Sequence, residues 1–281
     1  MIYHHYMTNT NANKLIPAAT VLIVRNGQSG LEVFMVVRNH QIDFASGALV
    51  FPGGKVDKSD YDKKLVQFLS NSNVNDKDDL PYRIAAIRES FEEANVLFAK
   101  EKGESENISP DKLLKLSEWR DRFNNKNASM YDFANSKKIF FSTNDLIPFA
   151  HWVTPKMMPK RFDTKFYIAK APDGQEGKHD GFESVDSIWI KPQDALNDCF
   201  SGKKTIIFPT RLNLEKLNQS KTVEEAISSA RKSKVTIVIP TIEKDINGSF
   251  LTIPKDAGYG EIREVLSEAS TPGALAPSLK K

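Results

Sequence analysis

Glu89, Glu92 and Glu93 are spaced so that, on a helix, three carboxylates fall along one stripe. The surrounding stretch Pro81–Ala94 has that periodicity, with Ile84, Ile87, Phe91 and Ala94 on the opposite face. Each pair of like charges at this spacing costs roughly 0.2–0.5 kcal/mol in an isolated helix, so something should offset the repulsion. A hard divalent cation, Mg²⁺ or Mn²⁺, is the natural candidate, because it takes oxygen ligands and leaves positions for a substrate phosphate. Upstream stands Phe51-Pro52-Gly53-Gly54, a glycine pair after a short apolar run. Glycines there let the backbone approach a ligand or metal closely. Taken singly, the stripe is more simply a solvated acidic face and the glycine pair a plain turn. Together they are far more specific.

The two segments resemble the box of the Nudix hydrolases, written G-x5-E-x7-R-E-U-x-E-E-x-G-U with U bulky and apolar. Gly54 matches the first glycine, and Arg88-Glu89-Ser90-Phe91-Glu92-Glu93-Ala94-Asn95-Val96 matches the second half. The branch most similar is the one holding the peroxisomal coenzyme A diphosphatases, whose box is split by an insertion. The likeness to that branch continues through His151–Pro155, Lys160–Phe166, Ser187–Trp189, Phe208–Thr210 and Gly258-Tyr259. Four departures stand out. Asp60 occupies the place of the first box glutamate, and the long stretch Tyr61–Ile87 separates it from Arg88. Ser90 replaces an apolar residue, and Asn95 replaces the second glycine. Asn is the next-best residue for a left-handed helix end, so the last change is mild.

The resemblance implies an α/β (α+β) fold, with a mixed sheet sandwiched between helices and carrying helical insertions. It implies metal-dependent hydrolysis of a diphosphate bond. Glu89 and Glu93 would be the primary ligands of Mg²⁺ or Mn²⁺, Glu92 a third, and the Gly54 carbonyl a further one, while Arg88 would orient a carboxylate. The substrate implied is coenzyme A or an acyl-coenzyme A, cut to (acyl-)phosphopantetheine and adenosine 3′,5′-bisphosphate. Alternatives are NADH, another nucleoside diphosphate derivative or capped RNA, and a binding module without turnover. Arg38, Phe51, Gly53, Lys160 and Arg161 are candidate substrate contacts. The basic residues of the coenzyme A signature are missing from Asn39–Ser46, so Lys156, Lys160, Arg161 and Lys165 are the cations that remain for a 3′-phosphate. Trp152, Phe162 and Trp189 can stack a base or pack in a core. His151 is more simply structural, and Glu176, His179 and Glu183 more simply a solvated loop.

The elements that must position these groups follow from pattern. Ala18–Val24 and Leu31–Arg38 are expected strands around a hairpin at Asn26–Gly30, and Gly47–Phe51 is a short one. Further strands are expected over 147–153, 164–170, 184–190 and Val235–Pro240, and helices over Leu212–Leu217 and Val223–Arg231. Residues 57–80 look like a surface insertion around a short helix, Leu65–Leu69. Residues 109–135 look helical, with Leu113, Leu114, Leu116, Trp119 and Phe123 as the apolar stripe. This organises the chain as a flexible tail (1–13), a domain (14–240) with helical inserts near 57–80 and 100–140, and a surface-packed extension (241–281).

The 281 residues are 40 % apolar and 27 % charged, the composition of a globular protein. A net charge of +3 argues against long nucleic acid as a partner and leaves a small molecule. The longest apolar run, Ile16–Val24, falls far short of the roughly 20 residues that span a membrane. A single cysteine, Cys199, excludes an internal disulfide and a cysteine zinc site, and suits a reducing compartment such as the cytoplasm.

Overall fold

The computed structural model describes residues 14–39, 47–70 and 78–265. β1 (Leu15–Gly27) and β2 (Gly30–Arg38) form an antiparallel hairpin tighter than expected, turning on Gln28 and Ser29 alone. β3 (Leu49–Val50) and β4 (Gly53–Lys55) follow, then two 3-10 turns, Lys58–Tyr61 and Lys63–Phe68, and helix α1 (Leu80–Ala94). β5 (Ala99–Glu101), α2 (Pro110–Leu114), α3 (Ser117–Asn124), α4 (Met130–Lys137) and β6 (Ile139–Phe141) make up the next segment. β7 (Ile147–Val153), β8 (Arg161–Lys170) and β9 (Ser184–Ile190) return to the main sheet. α5 (Pro192–Phe200), α6 (Phe208–Leu217), α7 (Val223–Lys232) and β10 (Ile237–Val238) come next. β11 (Thr241–Asp245), β12 (Gly248–Thr252) and β13 (Arg263–Val265) end the described chain.

The main sheet runs β10-β7-β8-β1-β2-β3, with β4 beside β1 and β9 beside β2. β1 lies parallel to β8 along its length, from Leu15↔Arg161 to Val24↔Lys170. β1 and β2 pair only from Val24↔Val33 to Gly27↔Gly30 and then part. β4 takes up the free edge of β1 at Ala18–Thr20, and β3 that of β2 at Val36 and Val37. Phe51–Gly54 therefore crosses the split between two diverging strands.

Side chains alternate across a strand, so β1 feeds two cores. Val21 and Ile23 pack with α1, α3 and α4, while Leu22 and Val24 pack with α6 and α7. This is the mixed sheet between helices expected above. α1 begins with Pro81 in its first turn and ends at Asn95, whose φ of 53° is the left-handed cap anticipated for that residue.

Several details differ from the pattern-based expectation. Residues 57–70 are not a surface insertion: Leu65, Phe68 and Leu69 are buried in the α1 core, in 3-10 turns, and Asp60 is buried as well. Leu114 leaves its stripe and is exposed, because α2 ends there and α3 starts on a new axis. The strand expected over Val235–Pro240 shrinks to two residues, and α5 was not anticipated. Residues 241–265 form a three-stranded sheet that buries Leu251, Ile253 and Ala257 against α6 rather than an irregular surface wrap. The expected tail 1–13, residues 71–77 and the end of the extension lie outside the described residues.

Candidate active site

α1 lies against β4, and the two bring the glutamates onto the glycines. The Gly53 backbone N–H donates to Glu93 Oε2 at 2.9 Å. Gly54 sits against the carboxylate of Glu89, where a Cβ would stand 2.4 Å from Oε1. The acidic side of α1 is thus not a solvated face: Glu89 is 8 % exposed and Glu93 3 %.

Arg88 organises this ridge. Its Nη2 donates to Asp60 Oδ2 at 3.0 Å and to the Lys55 carbonyl at 2.8 Å. Its Nη1 donates to Glu89 Oε1 at 2.8 Å and Glu92 Oε1 at 3.2 Å. Asp60, on the far side of the insertion, has folded back to meet Arg88. Although burial acts to lower it, Glu89, Asp60 and Glu92 hold the guanidinium well above its ordinary pKa. One cation does not balance the cluster. Burial first, then the Glu89 charge, pushes Glu92 up to about 8 against the pull of Arg88. Burial and Glu89 raise Glu93, and burial raises Glu89 against Arg88, with Glu183 adding to both. Asp60 is raised by burial despite its ion pair.

The ridge is one wall of a cavity of about 800 Å³. Phe51, Trp152, Phe162, Phe166 and Phe208 line an aromatic lobe, and Arg38 and Lys160 supply cations. Phe123, Asn124 and Lys126 reach in from the end of α3, and Asp180, Phe182 and Glu183 from the loop before β9. Of the expected site residues, Glu89, Glu92, Glu93, Arg88, Gly53, Gly54, Arg38, Phe51 and Lys160 all border this space.

Arg161 does not. It is buried, with Nε donating to the Thr154 carbonyl at 3.0 Å, and so pins the β7–β8 turn. Lys165 pairs with Asp79 at 2.8 Å and lies over the Tyr82 ring. Alternation along β8 is the reason: Phe162, Thr164 and Phe166 face the cavity, so Arg161 and Lys165 face away. The expected basic cluster is therefore split. His151 is paired with Asp163, a structural role as expected. Trp189 packs on Phe34 and Arg25, away from the cavity. Glu183 is exposed in its loop, as expected, yet borders the cavity, whereas Glu176 pairs with Arg25 and His179 with Ser187. Asp180 caps the backbone N–H groups of Phe182, Glu183 and Ser184, which aims that loop. Lys126, at the end of α3, carries no signal in the sequence pattern.

Residues 68–217 match the family model of the NUDT19 Nudix domain. The chain belongs to the Nudix hydrolase family. As a Nudix hydrolase it is an enzyme that cleaves diphosphate bonds. It is 26 % identical over 289 residues to the acyl-coenzyme A diphosphatase NUDT19 of Xenopus laevis, covering 88 % of this chain and 76 % of that one. It is 24 % identical over 253 residues to nudix hydrolase 7 of Caenorhabditis elegans, covering 88 % and 78 %. The crystal structure of a Nudix hydrolase from Alicyclobacillus acidocaldarius superposes with a TM-score of 0.62 at 26 % identity, over 76 % of this chain and 96 % of that one. Members of the family use divalent metal ions.

The donor set here fits such an ion: hard carboxylate oxygens, more negative charge than Arg88 balances, and raised pKa values that a dication would reverse. Among the described residues no three such groups already lie within ligating reach of one point. Arg88 Nη1 bridges Glu89 and Glu92 while the Gly53 N–H holds Glu93, so binding requires the three to re-aim. No described helix is long and apolar enough to cross a membrane.

Proposed function

We propose that the enzyme hydrolyses the diphosphate bond of coenzyme A or an acyl-coenzyme A, with Mg²⁺ or Mn²⁺ as cofactor. Water enters, and (acyl-)phosphopantetheine and adenosine 3′,5′-bisphosphate leave. The observation that carries this is the meeting of a buried carboxylate ridge with Gly53-Gly54 on the wall of a cavity that also holds an aromatic lobe and the cations of Arg38 and Lys160.

In this reading Glu89 and Glu93, with Glu92 and the Gly54 carbonyl, hold the metal. A bound dication neutralises phosphate charge and lowers the pKa of water. Arg88, fixed by Asp60 and the Lys55 carbonyl, anchors the Glu89 and Glu92 carboxylates, which would turn from it to meet the ion. Glu89 takes the proton of the attacking water on a carboxylate oxygen. Arg38, which borders the same cavity as Glu93, meets the phosphates. The aromatic lobe receives the adenine, and Lys160, 5.5 Å above the Phe162 ring, meets the 3′-phosphate.

A second reading, a dinucleotide such as NADH, gains from the outward-facing Arg161 and Lys165, which leave fewer cations for a 3′-phosphate. Mass spectrometry of products separates the two. Adenosine 3′,5′-bisphosphate from wild type and none from Glu93→Gln supports coenzyme A; AMP from NADH with coenzyme A untouched favours the dinucleotide.

A further inference from the structure

The aromatic lobe has two walls from different parts of the chain, Trp152 on β7 and Phe208–Thr210 on α6. A single phenol ties them together. Trp152 Nε1 donates to the Tyr259 oxygen at 3.1 Å, and the Tyr259 hydroxyl donates to Asn213 Oδ1 at 2.7 Å. The Trp152 ring meets Tyr259 at 5.5 Å between centroids and Phe208 edge-on at 5.9 Å. Asn213 is fully buried, and its amide nitrogen has no partner among the described residues, so the Tyr259 bond alone orients its side chain. Tyr259 packs against the core cluster that holds Leu212, Leu251, Ile253 and Ala257, with Lys216 Nζ 5.4 Å from its ring centroid. Burial raises the Tyr259 phenol, which keeps it a donor throughout the physiological range.

Polar groups buried among hydrocarbon cost desolvation, and what they return is direction. Here the direction fixed is that of the Trp152 indole. Tyr259 lies between β12 and β13, outside residues 68–217 that match the family model, with left-handed Gly258 and Gly260 on either side. The small C-terminal sheet thus reaches back to the wall of the site.

We propose that Tyr259 is a positioning residue: it sets the plane of Trp152 against Phe208 and so the width of the lobe that receives the ring system of the substrate. This rests on the reading that the lobe holds the substrate's base, and the experiment separates the two. Tyr259→Phe, Trp152→Phe and the double variant are assayed with coenzyme A and, in parallel, with NADH. Tyr259→Phe should raise KM roughly five- to tenfold while kcat moves less than about twofold. Trp152→Phe should do the same, and the double variant no more than either, because the Trp152–Tyr259 bond is common to all three. Near-UV circular dichroism should change with Tyr259→Phe as the indole loosens. If Tyr259→Phe folds poorly, Asn213→Ala cuts the same strut from its other end and is read the same way. Unchanged KM, equal losses in kcat and KM, or additive effects overturn the proposal. Cleavage of NADH but not coenzyme A overturns the substrate reading and leaves this one to be decided by KM for NADH. Cleavage of neither overturns both.

Discussion

Gly54 has no room for a side chain, and the neighbour that crowds it is the group on which the proposed chemistry depends. A Cβ at position 54 would stand 2.4 Å from Glu89 Oε1, 2.6 Å from Cδ and 2.7 Å from Oε2. Relaxed contacts of this kind begin near 3.5 Å, so in Gly54→Ala the carboxylate must retreat by about 1 Å. It can do so, because it is the end of a flexible chain. The strand pairing Ala19↔Gly54 needs no change, so the loss of stability should be about that of one charge-assisted bond, roughly 1–3 kcal/mol, and the protein stays folded. The retreat breaks the 2.8 Å bond from Arg88 and moves a proposed metal ligand. A misplacement of about 1 Å at a reacting centre costs on the order of 10²-fold, and that loss in kcat/KM is the expected result. Steady-state hydrolysis followed by product chromatography, beside thermal unfolding, measures both quantities. Activity within about threefold of wild type in a folded Gly54→Ala would refute the placing of Glu89 at the chemistry. Gly53 makes the contrast. A Cβ there meets backbone, the Ala19 carbonyl at 2.4 Å and Thr20 Cα at 2.6 Å, so Gly53→Ala should lose about 1–3 kcal/mol of stability.

Three further outcomes are expected. Arg88→Met strips the cation from buried Asp60 and Glu89 and half-buried Glu92 and should cost about 3–5 kcal/mol in denaturant unfolding, with Asp60→Asn/Arg88→Met losing less; a neutral Arg88→Met contradicts the organising role given to Arg88. Leu65→Ala should cost about 2–5 kcal/mol and Val66→Ala, at a half-exposed neighbour, almost nothing; equal effects mean the insertion is not core. Asp79 is held below the usual carboxylate range, because bonds from Lys165 and Tyr167 and the charge of Arg83 outweigh its burial. A depressed pKa gives stability that is present above the unfolded value and lost as pH falls through the folded one. Melting temperature should therefore drop more steeply below about pH 4 in wild type than in Asp79→Asn, and parallel curves would remove Asp79 from the acid response.

The parts of the fold legible in the sequence are those governed by local pattern. α1 and its Asn95 cap, the β1–β2 hairpin and the pairing of Gly54 with the Glu89–Glu93 stripe follow from periodicity and residue chemistry. What was not legible depends on contacts distant in sequence. Asp60 aligns with the first box glutamate, but its pairing with Arg88 appears only when the insertion folds back. Arg161 and Lys165 look like partners of Lys160 until strand alternation turns them outward. Glu183 belongs to a loop whose aim is set by the Asp180 caps, and the role of Tyr259 appears only when residues 241–265 close into a sheet against α6. A strongly charged, Leu-periodic stretch such as Asp111–Arg122 cannot declare where one short helix stops, which is why Leu114 was placed inside and lies outside.

In the proposed site Glu89, Glu92 and Glu93 grip a divalent cation beside the glycine turn. Titration of Mn²⁺ into wild type and Glu93→Gln, read by electron paramagnetic resonance and paired with turnover of coenzyme A, tests it most directly. Saturable Mn²⁺ binding is expected, at least about tenfold weaker in Glu93→Gln, with turnover abolished by excess chelator. Equal Mn²⁺ binding by the two proteins, or full turnover in excess EDTA, would contradict it.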